Sequence, residues 1–301
     1  MIRNVAIIGL GLLGGSIGLA IRDHAPDLRT TGFDRDPEVR EAAKARGLVS
    51  AVCETAEDTV READLVILCV PVGAMEEAAR SFADALPDGV IVSDVGSSKQ
   101  SVGKALAAAL PGRTIIPAHP VAGTEQSGPE AGFSSLFTNR WCILTPEAGT
   151  DPAAIEAVTA FWTTLGANVE IMEAEHHDLV LAVTSHIPHL IAFTIVGTAS
   201  DLEEVTRSEV IKYSAGGFRD FTRIAASDPV MWRDVFLSNK SAVLEMLGRF
   251  SEDLTALQRA IRSGDGDTLH DLFSRTRAIR RQVIEEGQDD DRPDFGRDDH
   301  G

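Results

Sequence analysis

Hydrophobic positions in the first half of the chain form short continuous runs, and each run precedes a segment with apolar residues at helical spacing. Such runs are typical of parallel strands that are buried on both faces. They predict strands at 5–8, 30–33, 64–70, 89–93, 114–118, 140–145 and 168–172. The intervening segments predict helices at 16–21, 36–46, 73–86, 100–110 and 151–165. Repeated units of this kind predict an α/β fold with a doubly wound, mostly parallel sheet.

The strand pattern stops after residue 172, and the rest of the chain is predicted to be helical. A long apolar stretch covers 174–199, and Pro188 is expected to kink or divide it. Further helices are predicted over 229–262 and 268–285, with a break at 215–218 where two glycines stand. The second half is therefore expected to be all-α.

This change of pattern predicts the domain organisation. We expect a first domain at 1–172, an all-helical domain at 173–287 that binds substrate and dimerises, and a polar, disordered tail at 288–301. The helices carry more apolar surface than one small bundle covers, which predicts a homodimer.

Three glycines follow the first predicted strand at a spacing that suits phosphate binding. Gly9 permits a tight turn, Gly11 lets the backbone approach a pyrophosphate, and Gly14 allows the helix to lie close to the strand. Leu12 and Leu13 stand at the predicted helix start, where backbone N–H groups and the helix dipole attract phosphate. The pattern predicts a Rossmann-type dinucleotide site, the alternative being a glycine-rich turn in another α/β protein.

An acidic residue follows the second predicted strand, as the dinucleotide interpretation requires. Asp34 stands where a carboxylate would accept hydrogen bonds from the adenosine ribose and repel a 2′-phosphate. The sequence therefore favours NAD over NADP. Arg35 keeps NADP open as the less favoured cofactor, since an arginine there can accommodate the extra phosphate.

Composition narrows the class of partner. The 301 residues carry a formal net charge of −18, which argues against nucleic acid. The most apolar stretches contain Gly, Pro or His or are short, so neither a membrane span nor a signal peptide is expected, and a cytoplasmic location follows. Three scattered cysteines indicate neither a disulfide framework nor a metal site. An anionic substrate would need locally concentrated positive charge in so acidic a protein.

Two histidine-containing segments could carry chemistry. His119 precedes a proline that holds the segment extended, and Thr124 and Glu125 follow it. A neutral imidazole there could accept a hydroxyl proton as hydride leaves the same carbon, the alternative being a histidine satisfied by backbone at a strand end. His186 and His189 are three residues apart and would share a helix face, yet nothing nearby completes a zinc site.

A third segment offers positive charge. Arg219 and Arg223 follow two glycines, and an arginine fork suits a carboxylate. The alternative is that these arginines form ion pairs with Asp220 or Asp228. Elsewhere, the two adjacent histidines at 176–177 are expected to be exposed or to cap a helix.

Five motifs together resemble the prephenate/arogenate (cyclohexadienyl) dehydrogenase family of tyrosine biosynthesis. They are the glycine turn at 9–14, DVGSSK at 94–99, HPVAGTEQSG at 119–128, SHIPH at 185–189, and GFRDFTRIA at 217–225 followed by DPVMW at 228–232. The resemblance implies an NAD-dependent oxidative decarboxylation, in which hydride leaves a carbinol carbon and carbon dioxide departs as the ring becomes aromatic.

The resemblance also implies roles for particular residues. His119 is similar to the base that binds the ring hydroxyl, Ser97 to its partner, and Arg223 to the arginine that holds a substrate carboxylate. Further substrate contacts are implied for His189, Thr124, Gly217 and Trp232, with Asp220 fixing the Arg223 segment. Ser98 stands where the family often has Val, so the motif leaves open which of the two serines faces the site.

Two other functions stay open at this point. Another β-hydroxyacid-type dehydrogenase would use a lysine of the helical domain, for which Lys240 is the candidate. A non-catalytic NAD-binding regulator would keep the fold without turnover. The residues do not decide between prephenate and arogenate, which differ in a keto or amino group on the side chain.

Overall fold

Six parallel strands form the main sheet, in the order β3-β2-β1-β4-β5-β6. The computed structural model describes residues 2–201, 209, 212–213 and 216–285, so the predicted tail at 288–301 lies outside the described residues. The strand order reverses between β1 and β4, which is where ligands bind in doubly wound sheets. The strands are β1 Asn4–Ile8, β2 Arg29–Phe33, β3 Ala51–Val52, β4 Leu65–Leu68, β5 Ile91–Asp94 and β6 Thr114–Ile116.

Helices cover both faces of this sheet, as the continuous apolar strands predict. In β1, Val5 and Ile7 lie in one buried cluster, whereas Ala6 and Ile8 lie in another on the opposite face. Both faces therefore exclude water, which confirms the doubly wound class. The crossover helices are α1 Leu12–His24, α2 Pro37–Arg46, α3 Ala56–Val60, α4 Met75–Phe82 and α5 Gln100–Ala109.

A second, smaller sheet holds the segment around His119. It consists of β7 Ala118–Pro120, β8 Trp141–Leu144 and β9 Asn168–Ile171, with helix α6 Pro152–Thr164 between the last two strands. Sequence reasoning predicted one strand over 114–118, but the chain leaves the main sheet at Pro117, which has no N–H to donate. Strand β7 then pairs antiparallel with β8, and His119 lies opposite Ile143.

The chain after residue 172 is helical throughout the part that the structure describes. Helix α7 Ala174–Leu181 passes through a π-helical turn, Ala182–His186, into α8 Ile187–Ser200. The wide turn lies directly before Pro188, whose missing N–H cannot continue an α-helical ladder. The later helices are α9 Gly216–Thr222, α10 Pro229–Ser238, α11 Lys240–Ser263 and α12 Gly266–Glu285.

Two sequence expectations for the helical part need correction. Gly216 and Gly217 begin helix α9, so the predicted break at 215–218 is wrong for these residues. In addition, the helical segment Ala174–Ser200 is long and apolar enough to cross a membrane by length and composition alone, contrary to the expectation of no such segment. Only 28% of the most apolar window of this segment is buried, although the segment contains the buried polar residues His177, Asp178 and His186.

By its backbone contacts the chain divides into two compact units, Met1–Met246 and Leu247–Gly301. All the candidate site residues described below belong to the first unit. The division into domains at 1–172 and 173–287 stays a prediction.

Candidate active site

The glycine turn leaves room for a ligand at one position and excludes side chains at two others. Gly9 has φ +100°, and a Cβ there would lie 2.6 Å from the carbonyl oxygen of Cys69. A Cβ on Gly14 would overlap the carbonyl oxygen of Gly9. Around Gly11, by contrast, a Cβ would meet no described atom within 4 Å. The open space lies at the start of α1, whose first turn has no side-chain cap.

Asp34 stands beside this turn. Its carboxylate accepts the backbone N–H of Leu10 at 2.9 Å and that of Asp36 at 3.0 Å. These bonds hold the carboxylate at the end of β2, next to the glycine turn. Arg35 is exposed, and its backbone carbonyl accepts a bond from Arg40. Leu12 and Leu13, the first residues of α1, are half-buried.

His119 is buried, with 8% of its surface exposed. Its Nδ1 lies 2.8 Å from Nε2 of His177, and the two rings meet edge to face. Burial holds the pKa of His119 well below its ordinary value, and its electrostatic interactions with His177, Lys99 and His186 lower the pKa further. The imidazole is therefore neutral at neutral pH and can accept a proton.

His177 was expected to be exposed or to cap a helix, and the structure corrects this: it is fully buried. Its Nδ1 lies 2.9 Å from the carboxylate of Asp178. Asp178 also accepts the backbone N–H of Lys99 at 2.7 Å and of Gln100 at 3.0 Å, so it caps helix α5. Burial lowers the pKa of His177, although the bond to Asp178 opposes the shift.

The segment before α5 places the two candidate serines differently. Ser98 is fully buried, and its hydroxyl lies 2.7 Å from that of Ser238 and 3.3 Å from that of Ser101. Ser97 is half-buried. Because the Ser98 hydroxyl is engaged with α10 and α5, the geometry favours Ser97 as the serine that faces a substrate.

A buried ion pair underlies the same segment. Lys99 and Asp94 are both fully buried and in direct contact, and Lys99 Nζ also donates to the carbonyl of Ala118 at 2.6 Å. Burial lowers the pKa of Lys99 and raises that of Asp94, while their mutual attraction opposes both shifts. The pair ties the end of β5 to the residue that precedes His119.

Aromatic rings connect the helical part to this centre. His189 stacks on Trp232, with ring centroids 3.7 Å apart, and its Nδ1 donates to the carbonyl of Ser185 at 2.8 Å. Burial lowers the pKa of His189, and the positive charge of Arg223 adds to the shift. Nε1 of Trp232 is buried without a hydrogen-bond partner among the described residues.

His186 lies near both Trp232 and His177. Its Nδ1 accepts from Nδ2 of Asn239 at 3.1 Å, and the same amide donates to the carbonyl of Asp178 at 2.7 Å. Burial lowers the pKa of His186 to about 4. His186, which the sequence predicts on the same helix face as His189, is therefore buried and hydrogen-bonded to Asn239.

Arg223 follows α9 and reaches the segment that begins at His119. Its Nη1 lies 2.6 Å from the carboxylate of Glu125, and its side chain is 59% exposed. Arg219, not Arg223, pairs with Asp220, at 3.3 Å. Thr124 accepts the backbone N–H of Gln126 at 3.2 Å. Sequence reasoning weighed ion pairs with Asp220 or Asp228 but did not find Glu125 as the partner of Arg223.

The remaining candidates are placed as follows. Gly217 is exposed in helix α9, where a Cβ would meet no described atom within 4 Å, and Lys240 is exposed at the start of α11. No group of three or more His, Cys, Asp or Glu side chains arranged to hold a metal occurs in the described ranges. The arrangement thus offers a neutral buried base, an exposed guanidinium and a glycine turn open to a phosphate.

Comparisons with known proteins identify relatives of this arrangement. Residues 17–171 match the family model for the prephenate dehydrogenase nucleotide-binding domain, and residues 173–275 match that for the prephenate dehydrogenase dimerization domain. The chain is 46% identical over 278 residues to cyclohexadienyl dehydrogenase of Zymomonas mobilis, covering 92% of this chain and 95% of that protein. It is 34% identical to prephenate dehydrogenase of Bacillus subtilis, covering 92% and 75% respectively.

A solved structure agrees with these matches. Prephenate dehydrogenase from A. aeolicus, crystallised with hydroxyphenyl propionate and NAD+, superposes with a TM-score of 0.87 and 34% identity. The superposition covers 94% of this chain and 99% of that one.

Proposed function

The chain belongs to the prephenate dehydrogenase family, and from this premise we propose that His119 and Arg223 act on the same bound substrate. The enzyme is an NAD-dependent dehydrogenase that oxidatively decarboxylates prephenate, arogenate or both. The observation that carries the residue assignment is the ion pair between Arg223 and Glu125, because it brings the guanidinium to the segment that His119 begins.

The residues of the glycine turn fit NAD. The open space at Gly11 admits a pyrophosphate, and the N–H groups of Leu12, Leu13 and Gly14 at the start of α1 would face it. The Asp34 carboxylate, held at the end of β2, suits the hydroxyls of the adenosine ribose. NAD+ held by these residues would supply the acceptor for the hydride that leaves the carbinol carbon of the substrate.

His119 handles the proton of the same hydroxyl. With its Nδ1 bonded to His177, its Nε2 is the nitrogen that faces the substrate. Nε2 accepts the hydroxyl proton as the hydride leaves, and it returns that proton when loss of carbon dioxide makes the ring a phenol. Ser97 would hydrogen-bond the same oxygen and hold it near the base. Aromatisation supplies much of the driving force, so orientation is the main task of the protein.

Arg223 supplies the local positive charge that an anionic substrate needs in this acidic chain. A guanidinium has five N–H donors, and the bond to Glu125 occupies one terminal nitrogen. The others suit a substrate carboxylate. We assign His189 and Trp232 to the wall beside it, because their stacked rings lie near that charge. Thr124 and Gly217 would line the same region, and Asp220 would fix the segment that carries Arg223.

Turnover tests this function directly. We expect NADH to form, measured at 340 nm, with prephenate, with arogenate, or with both, and the ratio of the two kcat/KM values gives the preference. If the protein bound NAD+ but turned over neither substrate, the proposal would fail in favour of a non-catalytic NAD-binding regulator.

We also propose a cytoplasmic homodimer. The segment Ala174–Ser200 exposes apolar side chains, among them Val183, Ile195 and Val196, and this part of the chain matches a dimerization domain. A second copy would cover these residues and explain an apolar helix without a membrane. Light scattering of the purified protein should give twice the chain mass, whereas a monomer would contradict the proposal.

A further inference from the structure

One carboxylate connects the two segments that carry the proposed base and its serine partner. Asp178 accepts three hydrogen bonds: the backbone N–H groups of Lys99 and Gln100, and Nδ1 of His177. It is 1% exposed, so water does not compete for these bonds. His177 continues the connection to His119, whose Nδ1 lies 2.8 Å from His177 Nε2.

The protons along this chain of bonds can be assigned. Two backbone N–H groups, which only donate, already bond the carboxylate oxygens of Asp178, so Asp178 is the acceptor toward His177. His177 Nδ1 therefore carries a proton. Because burial keeps this imidazole neutral, its Nε2 has a lone pair and accepts from His119. His119 in turn carries its proton on Nδ1, and its Nε2 has the lone pair.

We propose that His177 and Asp178 are positioning residues that hold His119 in the Nδ1–H tautomer, with Nε2 presented as the proton acceptor. The opposite tautomer would place a proton on Nε2, where it could not accept the substrate hydroxyl proton. Asp178 holds the other side of the centre as well, because it caps helix α5 directly after Ser97 and Ser98. The inference rests on the proposed role of His119.

The charge surroundings of His177 are consistent with this role. The positive group of Lys99 and the carboxylates of Asp178 and Asp94 all lie near it. Lys99 is already paired with Asp94. The remaining carboxylate, that of Asp178, is the one bonded to the ring, so it is the group that determines which nitrogen is protonated.

Asp178→Asn tests the assignment. Oδ1 of Asp178 accepts from both Lys99 N–H and His177 Nδ1, and Oδ2 accepts from Gln100 N–H, so an amide NH₂ in either position faces a donor. The neutral amide is also a weaker acceptor than the carboxylate, so the protons are held less firmly on Nδ1 of His177 and of His119. We expect kcat to fall at least tenfold, with KM changed less than about threefold. Nitrogen NMR of histidine-labelled protein should show part of the His119 population with its proton on Nε2, which a merely structural role would not produce.

His177→Phe is the second variant, since it leaves the Asp178 cap on α5 in place and still gives a result if Asp178→Asn does not fold. It removes the acceptor of His119 Nδ1, and we expect kcat to fall at least tenfold with mixed His119 tautomers. His176→Asn, at the exposed neighbouring position, is the matched control and should behave as the wild type.

The outcomes separate this inference from the proposed function. Folded variants with wild-type kcat and an unchanged His119 tautomer would overturn the positioning role. A wild-type protein that turns over no cyclohexadienyl substrate would instead overturn the proposed function, whatever tautomer the spectra show.

Discussion

The glycine turn should allow NAD binding and stability to be separated by single substitutions. In Gly11→Ala the added methyl meets no described atom, and the backbone at φ −73°, ψ −156° suits alanine. We expect the free energy of unfolding to be unchanged or to rise by about 0.4–1 kcal/mol. The methyl would nevertheless occupy the space that a pyrophosphate needs. Losing about one charge-assisted hydrogen bond, worth about 1.5–3 kcal/mol, would weaken the Kd for NAD+ about 10- to 100-fold.

Gly14→Ala should have the opposite signature. Its Cβ would overlap the carbonyl oxygen of Gly9, so backbone at the start of α1 must move. Overpacking of this kind costs about 1–3 kcal/mol, which corresponds to a fall in Tm of about 2–4 °C per kcal/mol for a domain of this size. Gly103→Ala is the control, since its Cβ would make an ordinary 3.8 Å contact with Pro117 within helix α5.

Calorimetric titration with NAD+ and thermal unfolding without NAD+ would measure the two effects. If Gly11→Ala bound NAD+ as the wild type does, the assignment of the open space to the pyrophosphate would be refuted. If it lost stability instead, the geometry of the turn would be wrong.

Three further predictions concern the charged and titrating groups. Arg223→Ala should raise KM at least tenfold with little change in kcat, because a contact with the substrate carboxylate is lost. Arg219→Ala removes an equally exposed guanidinium and should leave KM near the wild-type value. Burial lowers the pKa of His119, so the base stays neutral in mild acid. As the pH is lowered, kcat/KM should therefore stay level to pH 6.5 and fall only at lower pH. A fall in kcat/KM centred at or above pH 6.5 would contradict this. His186 has a pKa of about 4 in the folded state against about 6.5 unfolded, so the unfolded chain binds more protons between these values and stability falls as pH drops. Between pH 7 and pH 4.5, the free energy of unfolding measured in urea should fall by about 2–3 kcal/mol less in His186→Asn than in the wild type. Equal falls in the two proteins would refute the assignment.

Local patterns made much of the first half predictable. Neighbouring residues determine the apolar strands, the glycine turn and the cap of α2. Asp36, which directly precedes Pro37, accepts the N–H of Glu38 with its side chain, as the sequence suggests. The order of motifs also indicated His119, Arg223 and His189 through a family resemblance. These features need no knowledge of long-range contacts.

The partners of those residues could not be read in the same way. His177 is adjacent to another histidine in a polar stretch, and its burial depends on contact with His119, 58 residues earlier. Glu125 and Arg223 are 98 residues apart. The departure of the chain from the main sheet at Pro117 likewise depends on pairing with β8. One of the buried partners did have a local signal. In DVGSSK a lysine follows an aspartate by five residues, and this spacing indicates the ion pair between Lys99 and Asp94.

The most direct test of the account is the turnover of His119→Asn with prephenate and arogenate at saturating NAD+. The account predicts that kcat falls by about two to four powers of ten, while the Kd for NAD+ stays near that of the wild type. An undiminished kcat in the folded variant would contradict the assignment of His119 as the base on which the proposed chemistry depends.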